Sequence, residues 1–214
     1  MRAEARSGII GVILAGGLSR RMGGGDKGLL ELAGKPMLSH VVERLAPQVA
    51  RLIINANGAP ERFSALGLPV VADTVTGFAG PLAGVLAGMR WALTHAPDAS
   101  FIVSAAGDAP LLPRDLAVRL ADAVRGGGGR IALAQSYGAL HPVIGLWPLD
   151  LADDLEAGLR GGIRKVLDFT RRHGTVCVPF APVELCGLSI DPFFNANTPA
   201  ELDQLRGLLA RGTR

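Results

Sequence analysis

Ile9-Ile10-Gly11-Val12-Ile13-Leu14 runs without a break into Ala15-Gly16-Gly17-Leu18-Ser19-Arg20-Arg21-Met22-Gly23-Gly24-Gly25-Asp26-Lys27. The first six residues do not alternate between apolar and polar, which marks a strand buried on both faces of a parallel sheet. The next thirteen include five glycines and several basic side chains. Glycine lacks a Cβ, so backbone N–H groups can approach anionic oxygens closely, and Arg21 and Lys27 add positive charge to the same loop. A cationic, glycine-rich loop directly after a buried strand has the make-up of a phosphate cradle.

Two common phosphate motifs do not describe it. Gly34-Lys35 is followed by Pro36, which breaks the P-loop pattern. Gly23-x-Gly25-x-x-Gly28 matches the dinucleotide fingerprint in letters, but it starts well past Leu14 instead of at the strand end. The second strand also closes on Asn55, where that fingerprint needs an acidic residue.

Outward from this loop the chain alternates strands and helices. Pro36 opens a helix over MLSHVVERL, and residues 51–55 (RLIIN) and 68–72 (LPVVA) read as strands. Residues 81–95 are small and apolar round most of a helical circumference, as in a helix pressed onto a sheet. Strands are expected at 100–104, 131–135, 143–147 and 175–179, and helices at 113–124, 149–159 and 163–172. Thr198, Pro199 and Glu201 form a strong helix start before residue 209. Gly126 to Gly129 reads as a surface turn. This order implies one α/β domain over residues 1–214, a mostly parallel sheet with helices on both faces. Ligands of such sheets sit beyond the carboxyl ends of the strands, where this loop lies.

The chain has 214 residues, 49% of them hydrophobic, enough for a sizeable core. Net charge is +3, compatible with an anionic ligand, but the 5% of aromatic residues lack interleaved basic patches, so a nucleic-acid surface is not expected. Mean hydropathy is +0.32, yet no uninterrupted apolar run approaches the roughly 18 residues of a spanning helix. With no cleavable leader pattern in the first residues, a soluble cytoplasmic protein is expected. Cys177 and Cys186 are too few for a four-cysteine metal site and do not form C-x-x-C.

Three further polar residues fall at strand ends. Asp108, just past the strand at 100–104, is a candidate Mg²⁺ ligand or a solvated turn aspartate. Asn55 and Asp73 are poor strand residues, suited either to turns or to hydrogen-bonding a base or ribose.

The pattern L-A-G-G-x-S-x-R-M-G-(x)n-D-K resembles the signature of the nucleotidyltransferases that activate sugar phosphates and pterin cofactors. With Asn55-Ala56-Asn57, Asp73, Gly80-Pro81-Leu82-Ala83-Gly84, Asp108-x-Pro110, His141-Pro142 and Asn195-x-Asn197-Thr198-Pro199, the chain is most similar to the molybdenum cofactor guanylyltransferases. The resemblance covers nearly the whole chain, least distinctively between residues 152 and 185. It implies a Rossmann-like nucleotidyltransferase fold. Residues 8–110 would form the nucleotide half and 111–214 the pterin half. It further implies transfer of GMP from GTP to the terminal phosphate of molybdopterin, releasing pyrophosphate.

By the same resemblance Leu14, Ala15, Gly16, Gly17, Lys27, Asn55, Asp73 and Asp108 contact the nucleotide. Asp108 holds Mg²⁺, with Mn²⁺ as the alternative, and Arg21, Lys27 and Asp108 carry catalysis. His141, Asn195 and Asn197 border the pterin, whereas Arg160, Arg164 and Lys165 read as solvated charges. A transient contact with a cofactor-biosynthesis or acceptor protein is expected from the fragility of the pterin. Ala105-Ala106-Gly107 departs from the bulkier residues or cysteine that often precede the aspartate. Three alternatives stay open: a CTP-dependent cytidylyltransferase, where the loop typically reads L-A-A-G; a sugar-phosphate nucleotidyltransferase; and a nucleotide-dependent binding protein without catalysis.

Overall fold

The computed structural model describes residues 8–16, 26–75, 80–196 and 198–212. A seven-stranded sheet runs in the order β5-β4-β1-β6-β8-β7-β9. Its strands are β1 (Ile9–Leu14), β4 (Arg51–Asn55), β5 (Val70–Val71), β6 (Phe101–Ala106), β7 (Ile131–Ser136), β8 (Ala139–Pro148) and β9 (Thr175–Pro179). Only β8 runs against its neighbours β6 and β7; the pairs β1–β4, β1–β6, β4–β5 and β7–β9 are parallel. Two short hairpins lie outside the sheet: β2 (Glu31–Leu32) with β3 (Lys35–Pro36), and β10 (Val183–Leu185) with β11 (Leu188–Ile190).

The reading of β1 as buried on both sides holds residue by residue. Ile9 and Ile13 enter one core, Ile10 and Val12 the other, the period-2 alternation of a strand between two layers. The first core is covered by α1 (Met37–Leu45) and α3 (Leu116–Arg125), through Leu38, Val41, Leu45, Leu116 and Leu120. The second is covered by α2 (Pro81–His95) and α4 (Ala152–Arg160), through Leu82, Val85, Leu86, Met89, Leu155 and Leu159. Each such side chain removed from water stabilises the fold by about 1.5–3 kcal/mol before entropy is subtracted. Helices α5 (Val166–Thr170) and α6 (Pro199–Gly212) complete the chain. A third, smaller core joins its two ends: Leu32 and Met37 meet Leu111, Ala196, Leu202 and Leu205.

Several boundaries differ from the sequence expectation, each for a local reason. The helix expected from residue 113 begins at Leu116, because residues 113–115 form a turn and Asp115 stands at the N-cap. Leu149–Leu151 is a 3-10 turn leading into α4, and α5 is only five residues long. β8 is twice the expected length: Tyr137 and Gly138, at φ 48 and 77, make the tight two-residue turn that folds it back on β7. The start of α6 is as read. Glu201 N–H donates to Thr198 Oγ1 at 3.3 Å, and Thr198 N–H to Glu201 Oε2 at 2.8 Å, a reciprocal capping box. Among the described residues no helix is long and apolar enough to cross a membrane.

Candidate active site

The sheet order dictates where a ligand sits. From β1 the chain moves outward through β4 to β5, then returns to place β6 on the other side of β1. The loops leaving β1, β4 and β6 therefore diverge from three adjacent strand ends, the crevice where open α/β sheets bind ligands. The register aligns those ends: Leu14 pairs with Asn55 on one side and with Ala106 on the other. Ala15 N–H donates to Asn55 O at 2.9 Å, and Gly107 N–H to Leu14 O at 3.0 Å, so the ladder holds past the last strand residue.

On the β4 side, Asn55 is buried, and its Nδ2 donates to Val71 O at 3.1 Å and Asp73 Oδ1 at 3.0 Å. Asp73 is clamped again by Asn57, which donates to Oδ2 at 2.8 Å and accepts from Asp73 N–H at 2.9 Å. Asn55 and Asp73 thus form one hydrogen-bonded unit, with Asn57 its fixing residue. Helix α2 passes close behind. A Cβ on Gly84 would lie 2.2 Å from Asn55 Oδ1 and 2.7 Å from Leu14 Cδ2. Glycine here lets the first turn of the helix stand against this unit.

On the β6 side, Asp108 sits in the turn after the strand, and Lys27 Nζ donates to its Oδ2 at 2.6 Å, with 11% and 24% of the two side chains exposed. The ion pair brings residue 27 of the first loop onto the end of β6, although 81 residues separate the two in sequence. An ammonium on this oxygen acts as a stand-in cation, and so reports that the carboxylate faces a position a cation can reach. No group of three or more His, Cys, Asp or Glu side chains among the described residues could hold a metal alone. Asp108 therefore fits Mg²⁺ only in its usual mode, one carboxylate with phosphate oxygens and water making up the rest.

A third cluster lies at the ends of β7 and β8. Ser136 donates its hydroxyl proton to Asp191 Oδ1 at 2.7 Å, and Phe193 N–H donates to the same oxygen at 2.8 Å. His141 Nε2 is 2.6 Å from Ser136 Oγ. With the hydroxyl proton committed to Asp191, Ser136 accepts from His141, whose Nε2 carries the hydrogen. The order is therefore the reverse of a nucleophilic triad, in which histidine takes the serine proton. Burial holds the imidazole pKa below its usual 6.5, partly opposed by the Asp191 charge. The ring also packs on Phe193, centroids 4.7 Å apart. The cluster binds the β7–β8 hairpin to the segment carrying Asn195.

The sequence-predicted residues thus fall into two groups. Leu14, Ala15, Gly16, Lys27, Asn55, Asp73 and Asp108 converge on adjacent strand ends, while His141 lies on β8, across β6 from β1, and Asn195 follows the Asp191–Phe193 segment bonded to it. Gly17, Arg21 and Asn197 lie outside the described residues. The start of α6 already carries the Glu201 carboxylate of its capping box, so it is a poorer anion seat than an open helix start. Arg160 pairs with Glu156, and Arg164 donates to the carbonyls of Leu159 and Ile163. Sequence reasoning missed Asn57, Ser136 and Asp191 as site-building residues. Asn57 was legible only as part of a motif, and Ser136 and Asp191 meet only in three dimensions.

The MobA-like NTP transferase domain model matches residues 11–176. A molybdenum cofactor guanylyltransferase from Bradyrhizobium sp. (strain ORS 278) is 49% identical over 217 residues, covering 100% of this chain and 99% of that protein. The crystal structure of molybdopterin-guanine dinucleotide biosynthesis protein A from Archaeoglobus fulgidus superposes with a TM-score of 0.73 at 23% identity, over 95% of this chain and 99% of the other. A Mycobacterium tuberculosis H37Rv protein crystallised as a complex with manganese superposes at 0.60 and 22% identity, over 94% and 99%.

Proposed function

The chain belongs to the MobA-like NTP transferase domain family, and from that premise we infer that it is a molybdenum cofactor guanylyltransferase. It transfers GMP from GTP to the terminal phosphate of molybdopterin, giving the guanine dinucleotide form of the cofactor and pyrophosphate. The observation that carries this reading is the meeting of a base-type hydrogen-bonding unit, Asn55–Asp73, with a phosphate-type charged pair, Lys27–Asp108, across the end of β1.

In the proposed reaction an oxygen of the molybdopterin phosphate forms a bond to the α-phosphorus of GTP, and the bond to the pyrophosphate oxygen breaks. No covalent enzyme intermediate is needed, so the protein contributes placement and charge. Asn55 and Asp73 hold the guanine and the backbone from Leu14 to Gly17 approaches the phosphates. Lys27 and Arg21 offset the charge gathering on the leaving pyrophosphate. Asp108 would hold a divalent ion, Mg²⁺ in the cell with Mn²⁺ as a substitute; when bound, it polarises the α-phosphate. His141, Asn195 and Asn197 border the acceptor, so residues 8–110 serve the nucleotide and 111–214 the pterin within one domain. The protein works in the cytoplasm and meets a cofactor-biosynthesis or acceptor protein transiently, since the pterin is unstable when free.

Purified protein with molybdopterin, Mg²⁺ and equal GTP and CTP tests the reading. Pyrophosphate release matched by the guanine dinucleotide product supports it; preferential formation of the cytosine product overturns it.

A further inference from the structure

The base unit and the phosphate pair lie on different segments, and one side chain ties those segments together. Arg62 belongs to the 3-10 helix Pro60–Leu66, between β4 and β5. Its Nε lies in ion-pair contact with Asp26, the residue before Lys27, without an aligned hydrogen bond to it. One terminal nitrogen donates to Asn57 O at 2.6 Å, the other to Ala59 O at 2.6 Å, and the guanidinium lies 4.6 Å from the ring centroid of buried Phe63. Only about a quarter of the Arg62 side chain and a fifth of Asp26 are exposed, so the pair is screened less than a surface pair.

The contacts on either side make a continuous path. Asp26 leads by one peptide to Lys27, whose ammonium is on Asp108. Asn57, whose carbonyl Arg62 grips, clamps Asp73 through two hydrogen bonds, and Asp73 holds Asn55. We propose that Arg62 is a positioning residue that fixes the separation between the base seat and the phosphate seat, and so places the α-phosphorus for attack. The proposal rests on the guanylyl-transfer reading above. The planar guanidinium matters because its two terminal nitrogens hold two carbonyls while its charge stands against Asp26. Lysine can replace the charge toward Asp26 but cannot hold that charge and both carbonyls in one plane. A shift of about 1 Å between seat and reacting group lowers turnover by about a hundredfold, whereas local binding of the base alone survives.

Steady-state kcat and KM for GTP, affinity for guanosine and Tm are compared in the wild type, Arg62→Lys, Arg62→Met, Asp26→Asn and the Arg62→Met/Asp26→Asn double variant. The proposal expects Arg62→Met to lower kcat by about tenfold to a hundredfold with guanosine affinity within about twofold. Arg62→Lys should recover only part of that loss, and the double variant should be no slower than Arg62→Met. Unchanged kcat and KM per folded molecule with only a lower Tm, or strictly additive losses in the double variant, would overturn it. The wild-type control judges the underlying reaction separately. If it used CTP in place of GTP, the guanylyl reading would fall, and the five proteins would be compared with CTP and cytidine instead.

Discussion

Asp108 was ambiguous in the sequence, a turn aspartate as readily as a ligand, and the structure pairs it with Lys27 across the end of β1. Asp108→Asn keeps the shape and a weaker hydrogen bond but removes the charge. We expect kcat for GTP to fall by about a hundredfold or more, with stability changed by no more than about 1 kcal/mol because the pair is partly solvated. Turnover across a Mg²⁺ titration together with chemical denaturation checks both, and retention of most activity would contradict the assignment. His141 gives a prediction with a sign. Its folded pKa lies below the usual 6.5, through burial first and against the pull of Asp191. The unfolded chain therefore binds more protons between the two values. The associated stability is present above about pH 6.5 and drains as pH falls toward the folded value, by up to about 1.4 kcal/mol per unit. Urea midpoints from pH 5 to 8 should fall more steeply on the acid side for the wild type than for His141→Gln; equal slopes would contradict it. Ser136 and Asp191 had no signal in the sequence, because their meaning depends on a contact between residues 55 positions apart.

Among the elements, α2 was legible to its last residue, since Pro81 at the start and small apolar residues all round leave it one place, against the sheet. Its two buried glycines have different reasons, which substitution separates. On Gly88 a Cβ would stand 2.5 Å from Val12 Cγ2 and 3.0 Å from Cγ1, and a β-branched valine cannot rotate away. Gly88→Ala should lower Tm without changing KM for GTP. Gly84→Ala drives a Cβ into Asn55 and Leu14, so it should lower Tm and also raise KM for GTP several-fold. In each case the helix-propensity gain of about 1 kcal/mol is outweighed by overpacking of about 1–3 kcal/mol. Equal KM values in the two variants would detach α2 from the nucleotide seat. The β7–β8 hairpin was less legible. Its turn places Tyr137, not Asn or Asp, at a positive φ, so the usual turn signal was absent and the reversal of β8 went unread. The two-residue strands β2 and β3 are too short to leave a periodic trace, whereas β5 lies within the strand read at 68–72.

Over the whole molecule, the sheet order makes the site. A strand buried on both faces lies at the centre, its neighbours are reached in opposite directions, and three loops leave adjacent ends. The buried central strand and the mostly parallel sheet were legible in the apolar runs; the strand order was not. What the sequence also did not imply is the closing of the chain on itself, where α6 packs on Leu32 and Met37 and Arg206 donates to Glu31 O at 2.8 and 3.0 Å. These contacts bring the carboxyl-terminal segment, with Asn195, back to the first half. The division of labour between the halves is tested most directly by a crystal structure with Mg²⁺ and a non-hydrolysable GTP analogue. The account predicts guanine hydrogen-bonded to the Asn55–Asp73 unit, with the α-phosphate beside Lys27 and Asp108. A base seated beside His141 and Asn195, with its phosphates away from Asp108, would contradict it.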